Sequence, residues 1–77
     1  MILVVNACDL DAEAAITGAV KKYVRHFTVK SRNMTVSSLD LVMEVRTGEA
    51  SELVRDLMRL EGVTAASLLS HDGEVTF

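Results

Sequence analysis

The stretch Leu39-Asp40-Leu41-Val42-Met43-Glu44-Val45-Arg46 decides how this chain folds. Leu39, Leu41, Met43 and Val45 alternate with Asp40, Val42, Glu44 and Arg46, the two-residue period of a strand with one face in a core. From Glu49 the period changes. Ala50, Leu53, Leu57 and Leu60 recur every third or fourth residue, with Val54 beside them, which predicts an amphipathic helix. Glu52 with Arg55, and Asp56 with Arg59, form charged pairs three residues apart on its wet side, each contributing a few tenths of a kcal/mol. Gly62 suits a left-handed cap for this helix, and Val63 restarts an extended segment to about Ser70.

Upstream, Ile2-Leu3-Val4-Val5 is apolar on both faces, as a central buried strand would be. Asp9 or Asp11 can cap the helix that follows, and Asp11 and Glu13 sit favourably in its first turn. Ile16, Val20, Tyr23 and Phe27 form its core stripe, while Lys21, Lys22 and Arg25 fall near its negative C-terminal end. An extended piece from about Thr28 to Thr35 then leads through Val36-Ser37-Ser38 into the alternating strand. Without an Asn-Gly or Asp-Gly pair at that turn, the register is open. Placing the turn at Val36 to Ser38 predicts Lys30 across from Glu44 on the uncovered face and Val29 across from Val45 on the core face. Downstream, Asp72-Gly73 is a hairpin signal, so Glu74 to Phe77 can add a short fifth strand.

The element order is β-α-β-β-α-β. A split βαβ arrangement puts both helices on one face of an antiparallel sheet, and right-handed crossovers put the first and third strands in its middle. The fold class is therefore α+β, a ferredoxin-like sandwich, as one domain over residues 1–77. The opposite face of the sheet is left bare. Lys30, Arg32, Met34, Val42 and Glu44, with Ile2 or Leu3, are the candidates for an interaction face there, since contiguous apolar area on a small domain marks a contact surface.

Composition agrees with a small globular unit. The chain has 77 residues, of which 49% are hydrophobic and 25% charged, and it has no proline. A chain this short buries only roughly 60–65% of its unfolded surface, so a modest core must hold it. Its 8 basic and 11 acidic residues leave a net charge of −3, unfavourable for a polyanion partner. Cys8 is the single cysteine, which excludes an internal disulfide and fits a reducing cytoplasmic setting. The apolar run from Met1 to Val5 is far too short to span a bilayer, so any membrane link is expected outside this chain.

The stretch Leu57-Met58-Arg59-Leu60-Glu61-Gly62-Val63-Thr64-Ala65-Ala66 resembles the helix, Gly-Val, strand junction of ACT-like and heavy-metal-associated domains. Together with Lys30-Ser31-Arg32 and Ser67-Leu68-Leu69-Ser70-His71-Asp72-Gly73-Glu74, it is also similar to the cytosolic C-terminal tail of small bacterial multi-pass membrane proteins. The resemblance implies a non-enzymatic regulatory or assembly module at the inner face of a membrane. It also implies a homodimer or contact with the rest of a membrane protein, and only an indirect link to the bilayer. An ACT-type small-ligand sensor is the alternative. Amino-acid-binding ACT domains use a glycine between the first strand and helix; here the loop reads Asn6-Ala7-Cys8-Asp9-Leu10-Asp11, with two acids and no glycine.

Other chemistries of this fold lack their residues. A soft-metal site needs paired thiolates, and Cys8 has no second cysteine; His26 and His71 have no partner ligand at helical spacing. RNA-recognition modules stack bases on aromatics of the central strands. The aromatics here are Tyr23, Phe27 and Phe77, all outside those strands. Phosphate-cradling enzymes of this fold use a glycine-rich first loop with an arginine, and this loop has neither. No catalytic residue, cofactor or metal is expected, and no nucleic-acid partner. One asymmetry stands out: Lys21, Lys22, Arg25, Lys30 and Arg32 lie between Ala14 and Leu39 with no acid among them. A solvated face explains them; beneath a membrane the same patch could touch anionic headgroups.

Overall fold

Alternation and helical period become six elements in the structure, a computed structural model that describes residues 1–69. They are β1 (Ile2–Ala7), α1 (Glu13–Tyr23), β2 (Phe27–Met34), β3 (Leu39–Val45), α2 (Ala50–Arg59) and β4 (Val63–Leu69). The sheet is antiparallel throughout, in the order β2-β3-β1-β4, with β1 and β3 central. This is the ferredoxin-like α+β arrangement. The expected turn at Asp72-Gly73 and the strand from Glu74 to Phe77 lie outside the described residues, as does His71.

The core lies between the sheet and the two helices. Leu3, Val5 and Ala7 of β1 and Leu39, Leu41, Met43 and Val45 of β3 are buried, and they meet Ile16 and Val20 of α1 and Leu53 and Leu57 of α2. Each fully buried side chain of this size stabilises by roughly 1.5–3 kcal/mol through apolar area removed from water. Among the described residues no polar or charged side chain is buried, so this core holds the fold without any internal polar network.

Several local expectations change. Phe27 is not on the α1 stripe: the helix ends at Tyr23, Val24 is already extended, and Phe27 opens β2. Neither acid caps α1, whose N-cap is Ala12 with no side-chain bond. Asp9 instead accepts the Asp11 N–H on Oδ1 at 2.9 Å, a side-chain turn one step ahead of the helix. Gly62 does have φ +90°, but it follows helix α2 by three residues. It is the third residue of a turn closed by Val63 N–H on the Leu60 carbonyl, where a type II turn requires positive φ. Of the two charged pairs expected on α2, Arg59 reaches Asp56 at 3.7 Å, and no Glu52–Arg55 ion pair forms.

The β2–β3 hairpin turns where expected, and the Thr35 side chain holds it. Its hydroxyl accepts the backbone N–H groups of Ser37 and Ser38 and bonds the Ser38 hydroxyl. The register differs from the expectation by two residues at Val29, which pairs with Met43 and not Val45. A bulge then sets Lys30 and Ser31 together against the β3 position of Val42. Lys30 stays on the uncovered face and reaches Glu44 at 3.3 Å, the predicted ion pair formed from a neighbouring position.

Candidate functional site

No described element packs on the second face of the sheet, which is built by the residues that alternate with the core. Register places Val4 between Val42 of β3 and Ser67 of β4, and Ile2 between Glu44 and Leu69. One row further, Asn6 lies between Asp40 and Ala65. Ile2, Val4, Val42 and Leu69 thus form an apolar group, each half-buried by its neighbours. Asp40, Glu44 and Lys30 give it a charged rim.

The β2 bulge divides the five residues expected on that face. Lys30, Val42 and Glu44 share it. Arg32 and Met34 do not: past the bulge they pair with Leu41 and Leu39, whose side chains face the helices. The extra residue reverses the alternation, because side-chain direction along a strand has a period of two. Arg32 turns accordingly to the N-terminal end of α1 and forms an ion pair with Glu13. Met34, on the same side at the far end of β2, remains 51% exposed. Leu3 belongs to the core, so of Ile2 and Leu3 it is Ile2 that faces outward, with Val4 and Asn6.

The loop between β1 and α1 is closed off by the turn after α2. The Cys8 N–H donates to the Gly62 carbonyl at 2.8 Å, and Asp9 packs against Gly62 itself. Cys8 is exposed. Among the described residues no three metal-ligating side chains gather, and no helix is long and apolar enough to cross a membrane.

A second feature was not legible from spacing. Because Phe27 pairs with Val45, the residues just before β2 and just after β3 leave the sheet side by side. His26 therefore comes beside Arg46, twenty positions away in the chain, with Arg25 next to it. With Lys30 they rim an open cleft of about 750 Å³ whose walls include Tyr23, Phe27 and Val45. Knowing the hairpin register would have revealed this clustering; composition and helical spacing could not.

Tyr23 also ties the two helices together. Its hydroxyl donates to Asp56 Oδ2. That hydrogen bond, then partial desolvation and the negative charges of Asp56, Glu49 and Glu52, raise its pKa above the ordinary phenol value.

Comparison with protein-family models, with curated proteins and with solved structures finds no match to this chain.

Proposed function

We propose that this chain is a non-enzymatic interaction domain whose uncovered sheet face binds the same face of a second copy. The observation that carries the proposal is the contiguous apolar group of Ile2, Val4, Val42 and Leu69 across β3, β1 and β4 on that face. Contiguous apolar area rimmed by polar groups marks a contact surface on a small domain. Two-fold closure is the commonest way to satisfy a self-complementary patch. The rim supports it: Lys30 and Glu44 carry opposite signs, so a two-fold axis can set each cation against the other copy's carboxylate.

The likeness of residues 57–74 to the cytosolic tails of small bacterial membrane proteins supports a regulatory or assembly role at the cytosolic side of a membrane. In that setting the paired domains would draw two membrane subunits together. The amino-acid-sensor alternative is disfavoured by the loop after β1, where Asp9 and Asp11 would meet a ligand carboxylate with like charge.

Val42→Lys tests the contact surface. It puts a charge at the centre of the proposed interface while leaving every core residue in place. The dimer should dissociate with an unchanged far-ultraviolet circular dichroism spectrum. A folded variant that remains dimeric excludes this face.

A further inference from the structure

We propose that the cleft at the β2–β3 end of the sheet binds an organic phosphate, with Arg25 and Arg46 holding the phosphate and Phe27 and Tyr23 receiving the attached body. Charge is the first argument. The chain has a net charge of −3, yet Arg25, His26, Lys30 and Arg46 all line this one cleft. Among the described residues the only carboxylate in its lining is Glu44, which Lys30 already engages at 3.3 Å, while Asp56, Glu49 and Glu52 act on the Tyr23 wall from outside the lining. Among the described residues Arg25 and Arg46 form no ion pair, unlike Arg32 and Arg59, which meet Glu13 and Asp56. Both residues line the same cleft just beyond the Phe27–Val45 pair, and like charges gathered in a concave site focus a field that attracts an anion.

Shape and chemistry narrow the ligand. Guanidinium groups present paired donors that match phosphate oxygens, and a dianionic phosphate ester suits two uncommitted arginines better than a single carboxylate does. The volume of about 750 Å³ falls within the usual range for small-molecule sites, roughly 300–1,000 Å³. Tyr23 and Phe27 are half-buried, so they offer ring surface to the rest of the ligand. Lys30 and Glu44 are shared with the rim of the apolar sheet group, but Arg25, His26 and Arg46 lie beyond the ends of β2 and β3, so the proposed phosphate contacts use no residue of that group.

Phenyl phosphate is the test probe, added to the whole chain while amide chemical shifts are followed by NMR. The expected result is a saturable shift confined to residues near 25–28 and 44–48. Arg25→Gln with Arg46→Gln should weaken it by about tenfold or more, as loss of charge-assisted hydrogen bonds does. Arg55→Gln, which removes one positive charge outside the cleft, should leave the affinity unaltered, whereas Arg46→Gln alone should already weaken it. Sedimentation with phosphatidylglycerol vesicles then separates two sources of the phosphate. Vesicle binding lost in the double variant identifies a lipid headgroup, and saturable probe binding without vesicle binding identifies a soluble ester. Shifts that fail to saturate at tens of millimolar, or that survive the double substitution unchanged, overturn the proposal. Phosphate-induced thermal stabilisation of the wild type, absent from the double variant, is a second readout independent of chemical shifts.

Discussion

Gly62 and Asp9 are in contact so close that a β-carbon on Gly62 would sit 2.6 Å from the Asp9 β-carbon. The same glycine has φ +90° and gives its carbonyl to the Cys8 N–H. Backbone conformation, close approach and a hydrogen bond thus all meet at the point where the α2–β4 turn packs on the β1–α1 loop. Gly62→Ala should destabilise by at least about 1–2 kcal/mol from the left-handed conformation alone, with the collision adding to it. Gly18, in the middle of α1 with nothing within 4 Å of an added β-carbon, is the control. Gly18→Ala should stabilise by roughly 0.5–1 kcal/mol through helix propensity and reduced freedom of the unfolded chain. Urea denaturation of both variants reads the two signs, and equal midpoints would contradict the turn geometry.

Tyr23 is the single tyrosine and the chain has no tryptophan, so phenolate absorbance reports one group. Its hydrogen bond to Asp56 favours the protonated phenol in the folded state. With the folded pKa above the unfolded value of about 10, this contribution to stability is complete below that value and is lost as the pH rises through the folded pKa. A spectrophotometric titration should give a midpoint above that of the denatured chain. Asp56→Asn should move it most of the way back, and a midpoint unaffected by that change would mean the bond does not form in solution.

Leu57 is fully buried where α2 meets the core. Leu57→Ala should cost about 2–5 kcal/mol, as large-to-small changes in closed cores do. Against a total stability of about 5–10 kcal/mol for so small a domain, that lowers the melting temperature strongly. An unshifted melting curve would contradict the placement of the helix face.

Much of this fold is legible in local patterns because each element has one dominant period. The alternation of Leu39 to Val45 and the stripe of Ala50, Leu53 and Leu57 survive unchanged in β3 and α2. What local patterns miss is set by contacts between elements. The bulge at Lys30 and Ser31 has no glycine or proline to announce it, and it alone decides that Arg32 meets Glu13 and leaves the open face. For the same reason Arg46 has no evident partner in sequence. Only the pairing of Phe27 with Val45 brings it beside His26 and into the cleft that Arg25 lines. The Asp9 turn and the Thr35 hydroxyl show a third kind of miss, since short polar side chains choose among several nearby backbone groups by fractions of a kcal/mol.

Sedimentation equilibrium of the wild-type chain over a wide range of concentrations tests the proposed role of the open face most directly. Pairing through Ile2, Val4, Val42 and Leu69 predicts a weight-average mass that rises with concentration from 8.4 kDa toward twice that value. A mass constant at 8.4 kDa up to the highest concentration reached would contradict it.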